Sequence, residues 1–305
     1  MNHRFSARGA AAVLALCTAL PMTQVQARDR NQSGGQVVQD GIAVKPLKSN
    51  IWRDIAAPEQ TVNDQSAQQY LALMNQAREK NVLVPAGDPR VQRLRAIAQR
   101  IIPNTTRWNQ AARQWKWEVN LLQSGEVNAF CMPGGRIAFY TGILDKLKLT
   151  DDEIAAVMGH EIAHALREHG RDRQSKAAAT GIASQLGGAA LSAWLGVDVR
   201  GATNAAGQLY VLKFSRDEER EADLVGLDIA ARSGYDPRAG LSLWTKMGQL
   251  EQGGGNIEIL SDHPGGDNRM EQIQSHMNVL LPLYARAKGT SVDRLPPYRA
   301  NVAQR

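Results

Sequence analysis

Cysteine is nearly absent from this 305-residue chain, which has only Cys17 and Cys131. Cys17 falls in a leader described below, so no disulfide framework is available and cohesion must come from packing or from a bound metal. An excess of one charge is also missing. The formal net charge is +6, and two of the arginines responsible, Arg4 and Arg8, belong to the leader, which leaves +4. That is far below the basic surplus of a nucleic-acid binder and argues against a DNA or RNA role. A long, strongly apolar run is lacking too. The uncharged stretch 177–197 is interrupted by Gly181, Gln185, Gly187, Gly188 and Gly196. It therefore reads as small-residue helices packed on the body or forming a flap, with membrane insertion as the alternative. What remains is a globular composition, 43% hydrophobic and 22% charged, with enough apolar material for a core.

Residues 1–27 have the layout of an export signal: Arg4 and Arg8 at the start, an apolar run from Gly9 to Leu20, and small residues at Val25-Gln26-Ala27. The expected location is the periplasm. Leu14-Ala15-Leu16-Cys17 loosely resembles a lipoprotein processing box, although Leu16 is large for that place. Acylation of Cys17 would anchor the chain at the outer membrane. Residues 28–64, rich in Gln, Gly, Asn and Asp, read as an arm or linker. At the other end, residues 285–305 carry five basic groups against Asp293, so this tail holds all of the remaining excess charge. It is expected to be a solvated end, with contact to an anionic envelope surface as the sharper alternative.

Between these segments the pattern predicts an α+β, mainly helical domain. Tyr70, Leu71, Leu73 and Met74, then Val91, Leu94, Ile97, Ile101 and Ile102, recur at helical spacing on either side of Pro85-Ala86-Gly87. Trp115, Trp117, Val119 and Leu121 alternate with polar residues as in a half-buried strand, and two further strands are expected around 128–132 and 136–140. A small sheet thus precedes a helix that Thr150-Asp151-Asp152-Glu153 starts with a capping box and that should run to about Gly170. A second helix should reach Ser233-Gly234 from at least Ser215, and a third should start at Asp236-Pro237.

The first of these helices carries His160-Glu161-Ile162-Ala163-His164. Positions four apart on a helix differ by about 40°, so both imidazoles project from one face and can meet at one tetrahedral ion. Glu161, one step round, can reach a water on such an ion, which is what metal-assisted hydrolysis requires. A third ligand must come from elsewhere. The metzincin spacing asks for Gly at 167 and His at 170, where this chain has Arg167 and Gly170, and His169 is one place early. Acidic candidates lie in the run from Asp217 to Asp223, where Glu219 and Asp223 share a helix face. Spacing alone does not choose among Glu218, Glu219 and Glu221, and such a run by itself is usually a solvated surface.

These residues resemble the zinc metallopeptidase family that includes HtpX, the CAAX prenyl proteases and the periplasmic BepA- and LoiP-like proteins. The likeness rests on His160 to His164, on Glu219-x-x-Ala222-Asp223 preceded by Ser215-Arg216, and on Asn128-Ala129-Phe130 followed by Pro133-Gly134-Gly135-Arg136-Ile137. It implies a zincin-like metallopeptidase domain over 65–284 that binds one Zn²⁺ through His160, His164 and Glu219. It also implies Glu161 as general base, Asp223 as partner of a ligand histidine, and an edge strand in which Asn128, Ala129, Phe130, Gly134 and Gly135 bind substrate. An ordinary hairpin with a Pro-Gly-Gly turn is the plainer reading of that strand. His263, in Asp262-His263-Pro264, resembles a lid histidine that approaches the zinc and either displaces its water or donates to an oxyanion. The implied partners are unfolded or misassembled envelope proteins and envelope assembly machinery. The rival is a chaperone or assembly factor with a structural zinc site. Cys131 reads as a buried small hydrophobe.

Overall fold

The computed structural model describes residues 40–47, 50–179, 214–255, 257, 259–263 and 267–302. The export signal, Cys17 and most of the 177–197 stretch lie outside these residues. Among those described, no helix is long and apolar enough to cross a membrane.

In chain order the helices are α1 (Ile51–Ala56), α2 (Glu59–Glu79), α3 (Pro89–Ile101), α4 (Thr141–Leu147), α5 (Asp151–Leu166), α6 (His169–Ala179), α7 (Arg216–Arg232), α8 (Ala239–Gln252), α9 (Ile259–Asp262), α10 (Asp267–Ser275) and α11 (Met277–Ala287). Between α3 and α4 lies a three-stranded sheet of β1 (Glu118–Leu122), β2 (Ala129–Met132) and β3 (Arg136–Tyr140). Its order is β1-β3-β2, with β1 parallel and β2 antiparallel to β3. The architecture is the expected α+β domain with a small sheet ahead of the histidine-bearing helix.

Each element that positions the site has a local cause. α5 starts on the capping box read from sequence: Thr150 accepts from Glu153 N and the Glu153 carboxylate accepts from Thr150 N. α7 starts on a second box of the same design, between Ser215 and Glu218. The β2–β3 hairpin turns at Pro133-Gly134-Gly135, where Gly135 N donates to Met132 O and both glycines adopt positive φ, 82° and 86°. A Cβ on Gly135 would also strike Trp117 at 2.8 Å, so a side chain is excluded there twice over.

The most extensive helix contact joins α5 to α7. It is made by glycine: an added Cβ on Gly159 would meet Gly226 O at 2.5 Å, and one on Gly226 would meet His160 N at 2.5 Å. Backbones touch because neither residue has a side chain, and this brings the acidic face of α7 against the histidines of α5. The main core packs Leu94, Ile97, Ile101, Leu121, Ile137, Phe139, Ile154, Met158 and Ile162 beneath them. A second cluster holds α2 on the sheet through Tyr70, Phe130, Met132 and Tyr140, with Tyr70 Oη donating to Ile137 O at 2.7 Å.

Four details depart from expectation. The first strand begins at Glu118 rather than Trp115, because Trp115 and Trp117 pack on each other and Trp117 Nε1 donates back to Ala112 O. The stretch read as an arm is structured over part of its length: α1 and the start of α2 lie in it, Ile42 is buried, and Ile42 N donates to Asp228 at 2.9 Å. α5 stops at Leu166 instead of about Gly170, since Glu168 takes a left-handed φ of 58° and a new helix begins at His169. Finally, the basic end is tied to the body, with Tyr298 Oη 3.1 Å from Ser242 Oγ and Asn301 donating to Lys148 O.

Candidate metal centre

α5 presents His160 and His164 side by side, with their Nε2 atoms 3.1 Å apart. α7 brings Glu219 beneath them, its carboxylate oxygens 3.5 Å from His160 Nε2 and 3.4 Å from His164 Nε2. His263, at the end of α9, places Nδ1 3.2 Å from His160 Nε2 and 3.0 Å from Glu219 Oε1. One donor atom from each of these four residues lies within 4.8 Å of all the others, and all four residues are buried or nearly so.

These separations fit a zinc ion. Zinc–nitrogen bonds of about 2.0–2.1 Å at a tetrahedral angle put neighbouring ligand atoms roughly 3.3 Å apart. Two imidazoles, a carboxylate and a third imidazole form a donor set suited to zinc. A further sign is Glu161, which is buried, its Oε1 without a hydrogen-bond partner among the described residues and 3.9 Å from His263 Nε2. A buried carboxylate oxygen left unpaired is costly and points to a missing partner at the centre.

The surrounding charges are arranged in pairs. Asp223 Oδ1 accepts from His160 Nδ1 at 3.0 Å, the contact expected of a carboxylate that orients a ligand histidine. Arg269, from α10, donates to both oxygens of Asp223 at 2.7 Å and lies 2.7 Å from Glu219 Oε2. Its guanidinium also packs on the Trp244 ring, 4.1 Å from the centroid. The titration behaviour follows from this geometry. Burial alone would lower the His160 pKa, but hydrogen bonds to Asp223 and Glu219 raise it. Burial pushes the His164 pKa down, and the nearby Glu219 carboxylate only partly opposes it. Burial raises Glu161, which favours a group that can hold a proton. Burial opposes ionisation of Glu219, yet His263 and His164 keep its carboxyl well below the usual range, and Arg269 does the same for Asp223.

The three acidic candidates separate cleanly. Glu218 is used to cap its own helix, Glu219 faces the histidine pair, and Glu221 pairs with Arg167 and His169 on the side. Of the strand residues, Asn128, Ala129 and Phe130 line a groove that also touches Glu161, His164 and His263, whereas Gly134 and Gly135 form the turn. The Phe130 ring packs toward Tyr70 and Tyr140.

Three participants escaped sequence reading. Arg269 lies 46 residues from Asp223 with no spacing to link them. Phe214 packs against the His164 ring at a centroid distance of 3.8 Å, and the Arg173 guanidinium lies 3.5 Å from the Phe214 centroid. His169 was visible as a histidine, but in an unbroken helix five residues place it about 140° away from His164. The break at Glu168 brings the two rings together.

A histidine pair on one helix, a carboxylate from a second and a buried glutamate beside them, below a small sheet, define a zincin-like metallopeptidase fold. The profile of Peptidase family M48 matches residues 89–277, and the chain belongs to that family. Relatives include the mitochondrial metalloendopeptidase OMA1 of Arabidopsis thaliana, 38% identical over 54% of this chain and 32% of its own length. Metalloprotease LoiP of Escherichia coli is 27% identical over 73% of this chain and 81% of its own length. The beta-barrel assembly-enhancing protease of the same organism is 28% identical over 53% of this chain and 35% of its own. The chain spans from about a third to about half of the length of the OMA1 proteins it matches, 32%, 46% and 52% for those of Arabidopsis thaliana, Schizosaccharomyces pombe and Saccharomyces cerevisiae.

Proposed function

We propose that this protein is a zinc-dependent endopeptidase of the bacterial cell envelope that degrades unfolded or misassembled envelope proteins. The observation that carries the proposal is the convergence of His160, His164 and Glu219 within 3.1 to 3.5 Å of one another, with the buried Glu161 at their side. His160, His164 and Glu219 would hold the metal, with Asp223 orienting His160. When bound, zinc supplies Lewis acidity toward a carbonyl and lowers the pKa of water. Glu161 takes a proton from the attacking water and returns it to the leaving amine, a role suited to a carboxylate whose pKa burial has raised. No covalent acyl-enzyme is needed.

Substrate would lie along β2. In the antiparallel pair, Tyr140 N donates to Asn128 O, so Asn128, Phe130 and Met132 direct their backbone groups toward β3. Ala129 and Cys131 direct theirs to the outer edge, where Ala129 N already donates to Asn128 Oδ1 at 2.8 Å and an extended peptide can pair with the other groups as an added strand above Glu161. The envelope setting is supported by the export signal read in residues 1–27 and by the relatives LoiP and the beta-barrel assembly-enhancing protease. Acylation at Cys17 or the basic tail would supply membrane contact.

One observation favours a second reading. His263 occupies the fourth corner of the donor set, which would close the centre as in a structural zinc site. In a peptidase the same histidine acts as a lid that silences the centre until it moves; in an assembly factor it is permanent. Cleavage of an unfolded protein by native and Glu161→Gln chains, with and without a chelator, separates the readings. The peptidase loses about 10²- to 10⁴-fold in rate in Glu161→Gln while keeping its zinc. Equal rates in the two proteins, or cleavage undiminished by chelation, would overturn it.

A further inference from the structure

We propose that His169 is a positioning residue of the metal centre: backed by Glu221, its Nδ1 accepts the Nδ1–H of His164 and so fixes that ligand's tautomer and ring orientation. This rests on His164 being a metal ligand through Nε2, as read above. His164 Nε2 lies among the other donor atoms, so it must present a lone pair, and a neutral imidazole then carries its proton on Nδ1. The atom facing that proton, 3.0 Å away, is His169 Nδ1. Two N–H groups cannot face each other, so His169 Nδ1 is bare and the His169 proton sits on Nε2. There it finds Glu221 Oε2 at 3.3 Å, and Glu221 is in turn held by Arg167 at 2.7 Å. One assignment of protons satisfies every group from Arg167 to His164.

The backbone is built to allow this. Glu168 adopts a left-handed φ of 58°, a conformation rare for a residue with a side chain. Its carboxylate is pinned by Arg53 at 3.1 Å and Arg171 at 2.7 Å. The sharp turn ends α5 and swings residue 169 back over residue 164, with ring centroids 5.0 Å apart and planes at 74°. His169 is 3% exposed, so water does not replace the contact. The two ligand histidines are therefore oriented by different means. A carboxylate, Asp223, holds His160 directly, while a neutral imidazole relays the carboxylate of Glu221 to His164.

The test measures zinc dissociation constants of full-length native, His169→Phe, His169→Asn, Glu221→Gln and Glu221→Leu proteins by chelator competition. It also records the visible spectrum of each cobalt-substituted protein and the melting of each metal-free one. Asn places an amide oxygen where His169 Nδ1 sits, and Phe keeps the bulk without an acceptor. His169→Phe should weaken zinc binding about 10- to 100-fold and alter the cobalt spectrum, with His169→Asn restoring both to near the native values. Equal loss in His169→Phe and His169→Asn, or native affinity in His169→Phe, would overturn the proposal. Should His169→Phe not fold, the Glu221 pair decides: Gln still accepts from His169 Nε2, Leu does not, and equal affinities there contradict the relay. A native protein that binds no zinc would instead remove the ligand assignment itself.

Discussion

Substituting Gly159 by Ala should loosen the metal centre without touching any of its side chains. Gly159 sits where α5 crosses α7, one residue before His160, and its added Cβ would stand 2.5 Å from Gly226 O. Ordinary contact begins near 3.4 Å, so the two backbones must part by about 0.9 Å. The obstacle is main chain in a buried crossing, which cannot rotate away. Alanine gains about 1 kcal/mol of helix propensity over glycine, while overpacking of this kind costs about 1–3 kcal/mol, so the net effect is destabilising by up to about 2 kcal/mol. Each kcal/mol corresponds to a fall of about 2–4 °C in Tm for a domain of this size. The functional consequence is sharper. A shift of about 0.9 Å would stretch the 3.0 Å His160–Asp223 hydrogen bond beyond its useful range and draw Glu219 away from both histidines. Loss of such an orienting contact typically weakens metal affinity by about 10- to 100-fold. Thermal melting of the metal-free protein and zinc competition titration on the same preparation give the two numbers. A Gly159→Ala protein with native Tm and native zinc affinity would refute the idea that this glycine contact sets the spacing of the site.

Arg269→Met removes the cation shared by Glu219 and Asp223 and leaves two buried carboxylates to repel each other. The metal-free protein should lose about 3–5 kcal/mol, and zinc should raise its Tm by more than it raises that of the native chain. Melting like the native protein in the absence of metal would contradict this. Asp228 has its pKa raised by burial, against hydrogen bonds from Arg232 and Ile42. A raised folded-state value means stability that is complete below the ordinary aspartate pKa and lost as pH rises through the folded one. Asp228→Asn should therefore lose less stability than the native chain as pH rises above about 4, and parallel Tm curves would exclude it. His263→Ala should raise the cleavage rate by opening the fourth corner. An unchanged rate together with unchanged metal coordination would remove the lid role.

The elements bearing the site were legible because their starts are written in local chemistry. The box at Thr150 marks where α5 begins, and helical spacing then puts His160 and His164 on one face and, in the helix expected from at least Ser215, Glu219 and Asp223 on another. Pro133-Gly134-Gly135 likewise marks the hairpin that sets β2 at the sheet edge. The later helix start was displaced: Asp236 accepts from Arg238 N in a turn, and α8 begins at Ala239, two residues past Pro237. What spacing could not reveal depends on tertiary partners. The left-handed Glu168 is stabilised by Arg53 and Arg171, the former more than a hundred residues away, so the end of α5 and the place of His169 are decided by contacts that no local pattern contains. Arg269 is similar, since a single arginine on a polar helix looks solvated until Asp223 and Glu219 are brought to it. The choice of Glu219 over Glu218 became clear only when the Ser215 cap was seen to occupy Glu218.

The ligand assignment is tested most directly by counting zinc atoms per chain, using elemental analysis of native and Glu219→Ala proteins purified side by side and dialysed against the same weak chelator. One zinc per native chain is expected, with most of it lost from Glu219→Ala while far-UV circular dichroism remains native. A folded Glu219→Ala protein that keeps a full zinc complement would show that the carboxylate of α7 does not hold the metal and that the centre is built from other residues.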